Sequence, residues 1–182
     1  PDSAGFAIYK KEDENKYKYS ICINDLSYDD FKERINKYIN AEFNRNSDHV
    51  IIKTSSKPSE VLKIIKNYFS EVSIVGYGRS IEIFKQVGNP TDVVKKFNLE
   101  GFSGSHAIGH TRMATESAIT TDGSHPYSTG EDECLVHNGS LSNHNNLRRK
   151  LKKIGVNFDS ENDTEVAAGY ISNNLSNQKN LK

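Results

Sequence analysis

Between Tyr17 and Ile23 apolar and polar side chains alternate without a break: Tyr17, Tyr19, Ile21 and Ile23 fall on one side of an extended chain, and Lys18, Ser20 and Cys22 on the other. Period two is the signature of a strand with one buried face, and such a face demands an apolar cover. The sequence supplies that cover at helical spacing. Phe31, Ile35, Tyr38 and Ile39 recur as a single stripe behind Ser27, which has the spacing of a capping box with Asp30. A second helix, opened by Pro58-Ser59, carries Val61, Leu62, Ile64, Ile65, Tyr68 and Phe69 inward. Gly5–Tyr9, His49–Thr54, Val72–Val75 and Ser80–Val87 read as further strands, the last two joined through a turn at Gly76-Tyr77-Gly78. Asn89-Pro90-Thr91 then opens a short helix ending near Phe97. Strands and helices alternate with no repeat and no low-complexity linker, which predicts one domain of mixed helix and strand.

Composition narrows the functional classes. The 182 residues suit one domain, and 24 Lys+Arg balance 24 Asp+Glu, so the chain lacks the basic excess of a nucleic-acid binder. Apolar runs such as Val50–Ile52 are too short to span a bilayer, and no signal peptide opens the chain. The expectation is a soluble, cytoplasmic protein with neither nucleic acid nor membrane as partner. Two cysteines, Cys22 and Cys134, make neither a disulfide framework nor a four-thiolate zinc site, and both read as buried, inert thiols. His106 and His110 lack a third ligand nearby in sequence, so no metal is expected.

From Gly101 the texture changes to small and polar residues, with apolar ones only in the beads His106–Met113 and Cys134–His137. The long polar loop Ala114–Asp132 between them reads as a lid. A helix follows from about Asn143 to Ile154, ended by Gly155, and another begins at Asp163-Thr164; the tail Ser172–Lys182 is expected to fray. Arg148, Arg149, Lys150, Lys152 and Lys153 read as a solvated basic face. Three polar segments stand at strand ends or helix starts: His110-Thr111-Arg112-Met113-Ala114-Thr115, Val136-His137-Asn138-Gly139 and Asn162-Asp163-Thr164-Glu165. An Arg offers a planar fork for a carboxylate and an Asp an acceptor for an ammonium, together the smallest clamp for a free amino acid. Asn138 and the unhindered backbone N–H of Gly139 supply a donor pair suited to an oxyanion. Taken singly, each has a plainer reading: a hairpin turn at Asn138-Gly139, a helix N-cap at Asp163, a surface ion pair at Arg112.

In order along the chain, Pro1-Asp2-Ser3-Ala4-Gly5, His110-Thr111-Arg112 with Ala114-Thr115, His125-Pro126, Val136-His137-Asn138-Gly139 and Asp163-Thr164-Glu165-Val166 resemble the successive motifs of class II glutamine amidotransferases. Val75–Gly130 looks like the stand-alone amidotransferase subunit of split glutamate synthases and of N-methylglutamate synthase complexes. The resemblance implies an α+β, four-layer αββα N-terminal-nucleophile hydrolase fold, with residues 1–182 a type-2 amidotransferase domain lacking its nucleophile segment and its C-terminal strands. It implies hydrolysis of L-glutamine to glutamate and ammonia, the ammonia passing to a partner synthase subunit that carries FMN and iron–sulfur clusters, with no cofactor in this domain. By the same resemblance Arg112 holds the substrate α-carboxylate with Thr115 nearby, Asp163 accepts from the α-ammonium, and Asn138 and Gly139 form the oxyanion hole. Met113 stands where many relatives carry Trp, and Glu116 where sugar-forming relatives carry His, which argues against a hexosamine synthase. The family nucleophile is an N-terminal Cys whose α-amine is the general base; it is expected upstream of Pro1. The alternative is a glutamine-binding module without catalysis.

Overall fold

The computed structural model describes residues 1–113 and 119–177. In chain order its elements are β1 (Ser3–Tyr9), β2 (Tyr17–Cys22), α1 (Tyr28–Ile35), β3 (Glu42–Asn46), β4 (His49–Thr54), α2 (Pro58–Tyr68), β5 (Ser73–Gly78), β6 (Ile81–Val87), α3 (Pro90–Phe97), β7 (His106–Arg112), α4 (His144–Lys153) and α5 (Asp163–Asn177). The strands form two antiparallel sheets, one of order β3-β4-β2-β5 and one of order β6-β1-β7. The architecture is mixed α+β and sandwich-like.

The alternation of β2 dictates the first sheet's packing. Tyr19, Ile21 and Ile23 join Val50 and Ile52 beneath Phe31, Ile35 and Ile39 of the α1 region and Val61, Ile65 and Phe69 of the α2 region, all essentially buried. Each such side chain contributes about 1.5–3 kcal/mol by leaving water. Tyr38 and Tyr68, expected inside, are exposed and stack on each other with ring centroids 4.6 Å apart. The polar face of β2 is also buried, because the edge strand β6 lies along it. Ser20 Oγ accepts the Ile83 N–H at 2.9 Å, and Lys18 reaches Glu82 at 3.2 Å, where Lys10 also pairs at 2.8 Å. Ala7, Cys22, Val75, Ile81 and Ile83 fill the remaining space. On the opposite face of the second sheet, α3 sets Val93 and Phe97 against Ala4 and Phe84.

Several local expectations need correction. Ser27 precedes α1 without a side-chain cap bond, whereas Asn89 caps α3 by accepting the Thr91 N–H. The hairpin strand β3, polar and largely exposed, carries no periodic signal in the sequence. Gly76-Tyr77-Gly78 is strand, not turn. A Cβ on Gly76 would sit 2.6 Å from Ile83 Cδ1, and one on Gly78 would overlap the Asp132 carboxylate, so both glycines mark close approaches within β5. The segment Ser172–Asn177 is helical rather than frayed, tied down by Ser172 Oγ against Glu133 at 2.5 Å and Thr129 at 2.7 Å. Residues 178–182 lie outside the described residues.

Asp132 ties the long loop to the β5–β6 turn. Its carboxylate accepts from the N–H groups of Arg79, Ser80 and Ile81 and from Ser80 Oγ, each at 2.9 Å. The residue itself sits at φ 54°, a left-handed conformation that Asp tolerates better than most. Those donors hold its pKa below the usual carboxylate value against the opposing effect of burial. The stabilisation is therefore complete above the ordinary Asp pKa and is lost as pH falls below it. Asp132→Ala is expected to lower unfolding free energy by about 2–4 kcal/mol at neutral pH and by progressively less on acidification, read by urea titrations across pH. Gly78→Ala, which drives a methyl into the same carboxylate, should be at least as damaging. Gly101→Ala, whose nearest neighbour for a Cβ is Asn98 Nδ2 at 4.0 Å, should move the urea midpoint little.

Candidate functional site

One face of the second sheet carries the site. Side chains alternate along β1 and β7, so Ser3, Gly5, Ala7 and Tyr9 share a face with His106, Ile108, His110 and Arg112. Gly5 lies between Lys85 on β6 and His110 on β7, its direct partners on either side. A Cβ on Gly5 would overlap the His125 carbonyl oxygen and lie 2.6 Å from Lys85 Cβ. The backbone at His125 thus fills the slot that the absent side chain leaves. From there the His125 ring lies tilted by 32° against His110, centroids 4.2 Å apart, and meets Tyr127 edge-on at 5.0 Å. His125 Nε2 is hydrogen-bonded to Thr164 Oγ1 at 3.0 Å, which links β7 to the start of α5. The His125–Pro126 peptide is cis. Much of the loop expected to be a lid is packed: Gly123, Ser124, His125, Pro126 and Tyr127 are buried.

The start of α5 does not use Asp163 as its cap. Asn162 Oδ1 accepts the Thr164 N–H at 2.8 Å and fills that role. Asp163 Oδ2 instead accepts the N–H of Leu141 at 2.6 Å, fastening the loop that follows Asn138-Gly139 to α5. Two buried charges brace the approach to Asp163. Glu165 accepts from Asp159 N–H, Ser160 N–H and Ser160 Oγ at 2.8–2.9 Å. Arg148 turns inward from α4, lying over Phe158 and donating to the carbonyls of Ser160 at 2.5 Å and Asn162 at 3.0 Å. Arg148 therefore leaves the basic face expected for it, while Arg149, Lys150, Lys152 and Lys153 remain exposed.

Residues 134–137 are not a strand; a single bridge pairs Leu135 with Tyr127. Nor is Asn138-Gly139 a primed hairpin turn, since neither residue has positive φ. Both are exposed. A Cβ on Gly139 would lie 2.7 Å from His137 Nε2, so the His137 ring would have to shift to admit one. The loop is fastened on its far side by the Leu141–Asp163 bond.

Two of the imidazoles here, His125 and His110, are pushed toward the neutral form. Burial, then His110, Arg112 and Lys85, push His125 down to about 3, against a weaker opposing pull from Asp163. Burial, then Arg112 and His137, lower His110. Arg112 is buried at the end of β7. Arg112 disfavours and Asp163 favours the protonated form of His125, both less strongly than burial and His110 act on it. Thr115 and Glu116 lie outside the described residues, as does the start of the loop at Ala114. The sequence reading treated His125 only as part of a His-Pro motif and passed over Thr164 and Lys85. The His-Pro pair was the available signal; nothing marks a lysine within an apolar strand as one that turns inward.

Among the described residues one metal-competent donor group occurs away from this site: Cys22, Asp48 and His49 place donor atoms within 4.8 Å of one another. Lys96 Nζ sits on Asp48 at 2.7 Å and His49 Nδ1 takes its other oxygen at 2.9 Å, so the carboxylate is already satisfied by cationic and N–H donors. The Cys22 thiol is pushed up to about 11 by burial, the wrong direction for a thiolate ligand. A groove of about 1200 Å³ between α2 and α5, walled by Leu62, Ile65, Phe69, Phe158 and Gly169, includes none of the predicted site residues. No described helix is long and apolar enough to cross a membrane.

The full chain is 45% identical to the glutamine amidotransferase-like protein GlxB of Rhizobium meliloti, spanning 62% of that protein. It is 29% identical to a putative glutamine amidotransferase of Methanothermobacter thermautotrophicus, spanning 65% of it. Over 56% of the chain it is 38% identical to the glutamine--fructose-6-phosphate aminotransferase of Methanococcus maripaludis, a match that covers 17% of that enzyme. The chain thus spans less than two thirds of the length of each of these relatives. Residues 100–174, the stretch holding Arg112, His125, Asn138, Gly139 and Asp163, match the glutamine amidotransferase domain family.

Proposed function

We propose that this chain supplies the glutamine-binding and carbonyl-polarising part of a glutaminase centre, releasing glutamate and ammonia within a four-layer N-terminal-nucleophile hydrolase fold. Arg112 receives the substrate α-carboxylate in a bidentate pair, with Thr115 beside it. Asp163 accepts from the α-ammonium. The Asn138 side chain and the Gly139 N–H donate to the oxygen of the side-chain carboxamide as it gains negative charge. The observation that carries this reading is the Leu141–Asp163 bond at 2.6 Å, which ties the donor loop to the carboxylate expected at the other end of the substrate. The shift of His110 and His125 toward the neutral form supports it, because it keeps further positive charge away from the end of β7 where Arg112 lies.

The nucleophile in this proposal is a cysteine outside residues 1–182. Cys22 is buried and bonded to Asn24, and Cys134 is bonded to Tyr9; burial raises both thiols, which makes each a poor nucleophile. Ammonia passes to a partner synthase subunit of the glutamate synthase kind, with FMN and iron–sulfur clusters on that partner. The second reading is a module that binds glutamine without cleaving it.

Full-length protein separates the two. Calorimetry with L-glutamine should show binding that Arg112→Ala or Asp163→Asn weakens about 30- to 150-fold, as expected for a charge-assisted hydrogen bond of about 2–3 kcal/mol. An assay of released glutamate and ammonia should show Asn138→Ala lowering kcat about 10²- to 10³-fold with KM little changed. Binding without product would favour the non-catalytic module. Wild-type affinity in Arg112→Ala would refute the amino-acid clamp.

A further inference from the structure

We propose that Lys85 is a positioning residue of this site: its ammonium, bound to two loop carbonyls, seats His125 in the slot above Gly5. The Lys85 side chain is buried at 5% exposure on the second sheet, in register with Gly5 and, beyond it, His110. Nζ donates to the carbonyls of Asp122 at 3.2 Å and Ser124 at 3.0 Å and lies 4.8 Å from the centre of the Tyr127 ring. Among the described residues no carboxylate forms an ion pair with it. A lysine buried this way is expensive to keep charged, and an apolar side chain of similar size would pack the same space more cheaply. What the ammonium adds is direction. It fixes the two carbonyls on either side of Gly123, so the chain can turn and lay the His125 carbonyl over Gly5. The His125 ring then lands between His110 and Thr164.

Burial lowers Lys85 to about 8, opposed by Asp122, Glu165, Asp159 and Cys22. The neighbouring His125 and His49 are themselves shifted toward neutrality by burial and feel its charge. The ordinary lysine value is 10.5, so folding disfavours the charged form. The penalty is full below about 8 and relieved as pH rises from there toward 10.5, where the unfolded chain binds more protons. Rising pH should therefore strengthen the fold while removing the charge assistance from the two loop bonds, which a neutral amine makes more weakly.

The role of Lys85 in turnover rests on the proposed glutaminase reading; its hold on His125 does not, and the test keeps them apart. In full-length protein, Lys85→Met should keep its melting temperature within a few degrees of wild type or exceed it. Amide exchange at Gly123, Ser124 and His125 should accelerate at least tenfold, and the His125 imidazole signals in nuclear magnetic resonance should move. In wild type those signals should shift as pH passes through about 8; in Lys85→Met they should not. If the protein is a glutaminase, kcat should fall about tenfold with KM within twofold. Unchanged exchange and unmoved His125 signals in Lys85→Met overturn the proposal. Absence of turnover in wild type, with the exchange and imidazole effects intact, refutes the glutaminase reading and leaves the positioning role standing.

Discussion

A side chain that is not there organises this molecule's chemistry. Gly5 occupies the middle of the central strand of the β6-β1-β7 sheet, and the backbone of His125 occupies the space its Cβ would need. Everything expected of the site is referred to that contact. His110 lies beside the slot as Gly5's neighbour in β7, Arg112 follows two residues on, and the imidazole that crosses the slot reaches Thr164 at the head of α5. A larger residue at position 5 would push the loop off the sheet and separate β7 from α5. The glycine in the N-terminal Asp2-Ser3-Ala4-Gly5 motif thereby has a steric reason.

The fold was legible wherever one periodicity had one physical cause. The alternation in β2 and the stripes over α1 and α2 express burial against a single partner, and each stripe finds the other in the core. The pattern failed where burial came from a second source. Lys18 and Ser20 looked solvent-facing in sequence and are covered because an edge strand runs along them. Gly76 and Gly78 looked like turn residues because turns are the commonest use of paired glycines. They are strand residues because Ile83 and Asp132 come too close for a side chain. The polar strand β3 carries no periodic signal and could not have been read.

The candidate site was legible as a set of residue types and illegible as a set of contacts. Arg112, Asn138, Gly139 and Asp163 were singled out for what their functional groups can do. No spacing in the sequence could show that Asn162 takes the cap of α5 and leaves Asp163 for the Leu141 N–H. Nor could a run of five basic residues show that Arg148 alone turns inward to carry the Ser160 and Asn162 carbonyls. These are choices among neighbours of similar chemistry, settled by packing after the chain has folded. Lys85 is the sharpest case, a charged residue in an apolar strand whose partners lie in a loop 37 and 39 residues away.

Leu141 is fastened to Asp163 while the loop tip just before it, Asn138-Gly139, faces outward. Because a backbone N–H makes that fastening, the distance from the tip to Asp163 is set by the main chain and not by the reach of a side chain. Under the proposed function, the length of the guest would be measured against that fixed span.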